Sequence, residues 1–214
     1  MPEIIKEIQL QYLNSLTPAK DDLITEMEDF ASKNKVPILY SMSAGFLELL
    51  VKIKKPVKLL EIGTAIAYTA IRLGRRIDEG AILYTLEKSK NNIKLAEQYI
   101  ERAKLTDKVK VIDGDALESM KKFTIKFDFI FLDADKEDYA ELLKLSIDLL
   151  NDEGVIVVDN LLWHGWAAVN EEPENMHVSS VHIREFNKMF MNHPQLETTI
   201  LPIGDGIGLG VKKS

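Results

Sequence analysis

From residue 57 onward, short apolar runs alternate with longer stretches in which apolar residues recur at helical spacing. The runs are "VKLLEIG", "AILYTLEK", "VKVIDGD", "FDFIFLD" and "GVIVVDN", and helical patterns such as "NNIKLAEQYIERAKL" and "KEDYAELLKLSIDLL" lie between them. Strands that are apolar throughout are typical of parallel sheets, because helices cover both faces of such sheets. The alternation therefore predicts an α/β fold.

The two ends of the chain depart from this alternation. Residues 1–52 have a helical pattern, in which Thr17 is the predicted N-cap of one helix and Pro18 its first residue. Near the C-terminus, Asp205-Gly206 joins two strand-like runs and is a hairpin signal, so the last strands should be antiparallel neighbours. The chain of 214 residues contains no linker or low-complexity segment. We therefore predict one domain, with a helical extension over 1–52 and an α/β core over 57–214.

Composition excludes several other classes of protein. The chain has no cysteine, so a disulfide framework, a thiolate metal site and a thiol nucleophile are excluded. The N-terminal stretch mixes acids and amides with apolar residues, and no apolar run reaches membrane-spanning length, so we expect a cytoplasmic protein without a signal peptide. The net charge of −7 argues against broad, nonspecific nucleic-acid binding but leaves room for a local basic patch.

Acidic residues stand at the ends of all five predicted parallel strands. In open α/β sheets, ligands bind beyond the carboxyl ends of the strands. A cleft lined by carboxylates repels a phosphate-rich ligand unless a metal intervenes, and it suits a ligand that is cationic or rich in hydroxyls. The residues that the strands place there are Glu61 with Gly63, Glu87, Asp115, Asp133 with Asp135, and Asp159 with Asn160.

The first strand-to-helix turn, "EIGTAIAYTA", has one glycine where a dinucleotide loop has three. Gly63 permits a close backbone approach, and Glu87 lies 24 residues further on, where an acid typically binds ribose hydroxyls. A nucleoside that has a positive charge and no phosphates fits this turn best. S-adenosylmethionine is such a ligand, and Asp115 is a candidate acceptor for its adenine amino group.

A second set of candidates, Asp133, Asp159 and Asn160, offers two carboxylates and an amide oxygen. These hard ligands suit Mg²⁺ or Ca²⁺ rather than zinc, and three protein ligands leave room for two substrate oxygens. Lys136 is a candidate general base, because a nearby divalent cation and a sulfonium favour its neutral form. Two alternatives stay open: each acid taken alone is as readily a helix cap, and Lys136 alone is more often a solvated lysine.

On these residues the sequence resembles the cation-dependent O-methyltransferases of the class I S-adenosylmethionine superfamily, which include catechol and caffeoyl-CoA O-methyltransferases. The matching pieces are "LLEIGTAIAYTA", "LEK", "GDAL", "FDFIFLDADKEDY" and "GVIVVDNLLWHG". The resemblance implies a Rossmann-like, mostly parallel sheet in the order 3-2-1-4-5-7-6, with the last strand antiparallel. It implies that Lys136 and Asp133 are catalytic and that Asp133, Asp159 and Asn160 bind Mg²⁺. The cofactor residues that it implies are Leu39, Glu61, Gly63, Thr69, Glu87, Asp115, Ala116 and Asp133.

Within that family the sequence is similar to the bacterial tRNA 5-hydroxyuridine methyltransferases, through "KVPI", "DNLLWHG", "EFNKMFMNHP" and "PIGDGIGLGVKK". This similarity implies a homodimer that methylates 5-hydroxyuridine at the tRNA wobble position. A small-molecule catechol-type O-methyltransferase with the same site is the alternative, and the missing glycines disfavour a nicotinamide dehydrogenase. The chain has Ala67 where the family usually has glycine, and we expect its methyl group to crowd the methionine end of the cofactor.

Overall fold

The computed structural model describes residues 5–17, 21–169 and 171–214, and the predicted helix start at Pro18 lies outside these ranges. The helices are α1 Glu7–Leu16, α2 Asp22–Asn34, α3 Ser41–Lys54, α4 Tyr68–Gly74, α5 Lys90–Arg102, α6 Ala116–Met120, α7 Tyr139–Leu149 and α8 Glu174–Met191. The strands are β1 Lys58–Ile62, β2 Ile82–Glu87, β3 Val109–Asp113, β4 Phe127–Leu132, β5 Leu150–Val158, β6 Leu196–Leu201 and β7 Ile207–Lys212. Two 3₁₀ segments, Lys136–Asp138 and Trp163–Ala168, lie in the loops after β4 and β5.

The strands form one seven-stranded sheet in the order β3-β2-β1-β4-β5-β7-β6. The pairings from β3 across to β5 are all parallel. Strand β7 runs antiparallel to both of its neighbours, β5 and β6. The predicted α/β class, strand order and C-terminal hairpin are therefore confirmed.

The central strands are apolar because both of their faces are covered. Successive side chains of a strand point to opposite faces, so the neighbours Leu59 and Leu60 of β1 enter two different cores. Leu59 packs with residues of α2, α3 and α4, whereas Leu60 packs with residues of α7 and α8. Burying one such leucine stabilises the fold by about 1.5–3 kcal/mol. The two cores hold the loops at the carboxyl ends of the strands on a rigid base.

The N-terminal region is helical, as predicted, but the predicted cap at Thr17 is wrong. Helix α2 begins at Asp22, and the carboxylate of Asp21 accepts hydrogen bonds from the backbone N–H groups of Leu23 and Ile24, at 3.1 and 3.2 Å. Thr17 instead follows the last residue of α1. A carboxylate caps a helix better than a hydroxyl, because its charge also complements the helix dipole. In the described part of the chain, no helix is long and apolar enough to cross a membrane.

Candidate active site

The loops after β1 to β5 enclose one cleft at the carboxyl edge of the sheet, with a volume of about 1080 Å³. The opposite wall is formed by the end of α2 and by residues that lead into α3, namely Lys35, Val36, Pro37, Ile38 and Tyr40. The structure brings many of the predicted site residues together here, because the carboxyl ends of parallel strands meet at one edge. Those that line the cleft are Gly63, Glu87, Asp115, Ala116, Asp133, Asp135, Lys136 and Asn160.

Three predicted cofactor residues lie elsewhere. Leu39 and Thr69 are buried, and Glu61 lies inside β1 with its carboxylate against the hydroxyl of Thr85, 2.5 Å away. None of the three is part of the cleft wall in the described structure. These side chains face the core, although their neighbours along the chain reach the cleft, and direct cofactor contacts by Leu39, Glu61 and Thr69 stay a prediction.

Gly63 is required by the approach of two loops. It has a left-handed φ of 105°, and a Cβ atom at this position would lie 1.9 Å from the backbone oxygen of Asp133. The backbone N–H groups of Gly63 and Thr64 both donate to the carbonyl of Leu86, at 3.2 and 3.1 Å. The single glycine of the turn therefore serves the packing of the loop after β1 against the loop after β4.

Ala67 does not line the cleft in the described structure, and crowding of the cofactor by its methyl group stays a prediction. The residue is fully buried in the core and has left-handed backbone angles, φ 65° and ψ 25°. A residue with a Cβ atom pays about 1–2 kcal/mol for this conformation. The effect of the departure from glycine that the structure shows is therefore on the backbone.

Glu87 fixes the turn that follows β1. One carboxylate oxygen accepts from the N–H of Ala65 at 2.9 Å, and the other accepts from the N–H of Ser89 at 2.8 Å. A carboxylate has about four acceptor positions, so two remain for hydroxyl donors. Asp115 likewise combines two roles that the sequence left as alternatives: it caps α6 through the N–H of Glu118 and it lines the cleft.

Oxygen atoms from residues that follow β4 and β5 converge on the side-chain ammonium of Lys136, which is the cationic centre of the site. The ammonium of Lys136 lies 2.6 Å from Oδ1 of Asn160 and 3.5 Å from Oδ1 of Asp133. It also donates to the hydroxyl of Tyr139 at 2.7 Å. The side chain of Lys136 is 10% exposed and lies over the Tyr139 and Trp163 rings, so the solvated-lysine alternative is wrong.

Asp159 lies directly behind this centre. It is 2% exposed, and its Oδ1 is buried with no hydrogen-bond partner among the described residues. In the same part of the chain, no group of three or more His, Cys, Asp and Glu side chains is arranged to hold a metal. The predicted set differs from such groups because its third ligand is the amide oxygen of Asn160. Two carboxylates and one amide oxygen fit a hard divalent cation. One of the carboxylate oxygens, Oδ1 of Asp159, has no hydrogen-bond partner among the described residues.

The acids of the site are held in unfavourable surroundings. Burial, and then the nearby Asp133 carboxylate, raise the pKa of Asp159. Burial also raises the pKa of Asp205. Burial costs the charged form of each carboxyl group free energy, and a bound cation would offset this cost.

Sequence reasoning missed Asp205 as a site residue. The Asp-Gly pair was assigned only to a hairpin, yet the Asp205 side chain is buried and reaches Asn160 and His164 in the loop after β5. His164 and Trp163 line the cleft, whereas Trp166 does not. No local pattern predicts these contacts, because the hairpin and the loop are separated by about forty residues of sequence and meet only through the pairing of β5 with β7.

The sheet order and the acid-lined cleft at its carboxyl edge define the class I S-adenosylmethionine-dependent methyltransferase fold. The chain matches the family model described as O-methyltransferase over residues 15–213 and belongs to that family.

The chain is 30% identical over 210 residues to caffeoyl-CoA O-methyltransferase of Medicago sativa, covering 92% of this chain and 85% of the relative. Caffeoyl-CoA O-methyltransferase 1 of Arabidopsis thaliana is 29% identical over 210 residues, with 92% and 81% covered. The crystal structure of the O-methyltransferase from Bacillus cereus in complex with SAH superposes with a TM-score of 0.84, at 30% identity, over 95% of this chain and 96% of that one. The chain is therefore an enzyme of the O-methyltransferase family.

Proposed function

We propose that the protein transfers a methyl group from S-adenosylmethionine to one of two neighbouring substrate oxygens, with a divalent cation, Mg²⁺, bound beside them. The observation that carries this proposal is the convergence of Asp133 Oδ1 and Asn160 Oδ1 on one cationic centre, with the unpartnered carboxylate oxygen of Asp159 behind it. The solved relative in complex with SAH supports the choice of cofactor.

Glu87, Asp115 and the turn at Gly63 would hold the cofactor. Glu87 has acceptor positions left for the ribose hydroxyls, and Asp115 with Ala116 forms the wall that would face the adenine. The cofactor supplies an electrophilic methyl group on a sulfonium. A positive ligand suits a cleft in which carboxylates outnumber the lysines Lys35, Lys88 and Lys136.

Asp133, Asp159 and Asn160 would hold the cation, which when bound makes a coordinated hydroxyl more acidic. Lys136 would take the substrate proton in the neutral form that a bound cation and the sulfonium favour, because its Nζ lies at the cleft wall beside the proposed cation ligands Asp133 and Asn160. The hydroxyl of Tyr139 holds this Nζ in place at 2.7 Å. Asp133 orients the lysine as well as serving as a ligand.

The substrate that we propose is 5-hydroxyuridine at the wobble position of tRNA, with 5-methoxyuridine as the product. Its 5-hydroxyl and C4 carbonyl offer the cation two neighbouring oxygens. The motifs "DNLLWHG" and "PIGDGIGLGVKK" support this choice. The acidic lining repels phosphates, so only the unstacked base of a single-stranded anticodon loop would enter, and the tRNA backbone would stay outside the cleft.

A small-molecule catechol or caffeoyl-type substrate is the second candidate. The names of the Medicago and Arabidopsis relatives favour it. A catechol presents the same pair of neighbouring oxygens, so both substrates use the same residues of this chain.

The test incubates the protein with labelled S-adenosylmethionine and Mg²⁺, together with either hypomodified tRNA or a panel of catechols and caffeoyl-CoA. We expect label in tRNA as 5-methoxyuridine, and loss of transfer in EDTA and in Asp133→Ala. Asp128→Asn is the matched control, because Asp128 lies at the opposite edge of the sheet, and it should keep the rate. Transfer to catechols alone would assign the second candidate, and full activity in EDTA would refute the metal role.

We also propose that the enzyme is a cytoplasmic homodimer. Large apolar side chains of the N-terminal helices are exposed, which supports an interface there: Ile8, Tyr12, Leu16, Leu49 and Ile53. Sedimentation velocity at micromolar concentration should give the dimer mass. A monomer at all concentrations would contradict this part of the proposal.

A further inference from the structure

The turn between β6 and β7 places a carboxylate beneath the cation site. Asp205 is 1% exposed and lies between Gly204 and Gly206, which both have left-handed φ angles. The carbonyls of Asp205 and Gly206 accept from the N–H groups of Leu162 and Leu161, at 2.9 and 3.0 Å. A Cβ atom at Gly206 would lie 2.7 Å from the backbone nitrogen of Leu162. The turn is therefore packed directly against the loop after β5.

Asp205 and Lys136 fix the side chain of Asn160 from opposite ends. Oδ2 of Asp205 accepts from Nδ2 of Asn160 at 3.2 Å, and Oδ1 of Asn160 accepts from Nζ of Lys136 at 2.6 Å. A carboxylate in these contacts only accepts, and an ammonium only donates. Both contacts therefore favour the same orientation of the amide, with its oxygen towards Lys136 and the cleft and its NH₂ group towards Asp205.

We propose that Asp205 is a positioning residue that selects the amide oxygen of Asn160 as the cation ligand. The inference rests on the cation site of the proposed function. The two ends of an asparagine amide have nearly the same shape, but only the oxygen binds a cation. Without the carboxylate acceptor, Asn160 Nδ2 loses its partner, and only the contact with Lys136 opposes a turn of the amide that points its NH₂ group towards the cleft. The other oxygen of Asp205 accepts from the N–H of His164 at 2.5 Å, which fixes the loop that bears Asn160.

A purely structural role for Asp205 is the competing explanation, and the chain offers a matched control for it. Asp128, at the opposite edge of the sheet, accepts from Nδ2 of Asn151 at 2.7 Å and from the N–H groups of Val57 and Lys58, at 2.8 and 3.0 Å. Both aspartates thus hold an asparagine amide and backbone N–H groups. Only Asp205 holds an asparagine that faces the cleft.

The first measurement is the Kd of Mn²⁺ by calorimetry, without substrate, for the wild type, Asp205→Asn and Asp128→Asn. Mn²⁺ is a suitable probe because it takes carboxylate and carbonyl oxygens. We expect Asp205→Asn to raise this Kd by about 10–100-fold, the range for loss of an outer partner of a metal ligand. The Kd of S-adenosylmethionine should stay within about twofold, and Asp128→Asn should leave both constants within about twofold.

The second measurement exchanges the two side chains in Asn160→Asp/Asp205→Asn. In the double variant, the amide at 205 donates to one oxygen of the carboxylate at 160 and still accepts from the N–H of His164. A carboxylate offers an oxygen to the cation in either orientation, so it needs no selection. We expect the double variant to recover at least about tenfold of the Mn²⁺ affinity that Asp205→Asn loses.

The outcomes separate this inference from the proposed function. A wild type that binds no Mn²⁺ would refute the cation site and this inference with it. A wild type that binds, with Asp205→Asn within twofold of it or with Asp128→Asn weakened equally, would overturn only the role of Asp205. If Asp205→Asn does not fold, the double variant decides: Mn²⁺ binding within about tenfold of the wild type is expected, and no measurable binding would overturn the inference.

Discussion

Strand β5 has an asparagine–aspartate pair near each of its ends, and the two pairs lie in opposite electrostatic surroundings. At its amino end, burial raises the pKa of Asp128, but hydrogen bonds from the Lys58 N–H, Asn151 and the Val57 N–H outweigh it, so that the pKa lies below its ordinary value. At its carboxyl end, burial raises the pKa of Asp205, and burial and Asp133 raise that of Asp159. The surroundings therefore favour the charged form of an aspartate at the amino edge of the sheet and disfavour it at the carboxyl edge.

Left-handed backbone occurs near both ends of β5, with Glu153 at a φ of 59° near the amino end and three residues in the loop after the carboxyl end. Asn160, Trp163 and His164, which follow β5, all have left-handed φ angles, between 47° and 62°. Such conformations cost free energy for residues with a Cβ atom, and they persist where the surrounding structure holds them. Buried charge, together with three such residues in one loop, is typical of the edge of a sheet that binds ligands.

The largest expected effect concerns Lys136, the cation that the carboxyl edge holds. We expect Lys136→Met to lower kcat by about 10²–10⁴-fold, the range for a positioned general base, without weakening the binding of Mn²⁺ or S-adenosylmethionine. Steady-state kinetics and calorimetry measure the two parts. Lys136→Arg is the control, because arginine keeps the charge but does not accept a proton near neutral pH. An active arginine variant would limit Lys136 to offsetting the carboxylates.

The next effect concerns Glu87 at the end of β2. We expect Glu87→Ala to weaken S-adenosylmethionine binding by about 1.5–3 kcal/mol, the scale of a hydrogen bond to a charged group. The control is Asp113→Ala, since Asp113 pairs with Glu87 across the sheet but lies outside the cleft wall and is exposed. Calorimetry should show the loss for Glu87 alone. Equal affinities for the two variants would remove Glu87 from the cofactor site.

A smaller effect extends the comparison to β1. Burial, offset only in part by the Thr85 hydroxyl, raises the pKa of Glu61 from 4.5 to about 8. Between these values the folded protein keeps a proton that the unfolded chain releases, so stability falls as the pH rises through this window. Glu61→Gln should therefore gain stability relative to the wild type between pH 5 and pH 8, by at least about 1.4 kcal/mol, the equivalent of one pKa unit.

Chemical denaturation at pH 5 and pH 8 measures this change, with Glu101→Gln, on the exposed face of α5, as the control. The control should show no change in its stability relative to the wild type between the two pH values. A Glu61→Gln variant whose relative stability is equally flat with pH would show that Glu61 is not held in its neutral form.

The strands and their order could be predicted because buried parallel strands have an unbroken apolar pattern. The convergence of acids on one cleft was predictable for a related reason, since Glu87, Asp115 and Asp133 lie at or within two residues of the carboxyl ends of such strands. The orientation of single side chains was not predictable from the sequence. Leu39, Glu61 and Thr69 face the core, although their neighbours along the chain line the cleft. Asp205 was missed because its role depends on a contact between distant segments. The cap at Thr17 was misplaced because an aspartate four residues further on competes for the same role.

The most direct test of the account compares the same substitution at the two ends of β5. In EDTA at pH 8, we measure the free energy of unfolding of the wild type, Asp159→Asn and Asp128→Asn. Removing the buried charge of Asp159, one oxygen of which has no hydrogen-bond partner, should stabilise the metal-free protein by about 1–2 kcal/mol, whereas Asp128→Asn should destabilise it by about the same amount. Saturating Mg²⁺ should then stabilise the wild type but not Asp159→Asn. If both substitutions destabilise the metal-free protein equally, the carboxyl edge does not hold costly charge for a cation.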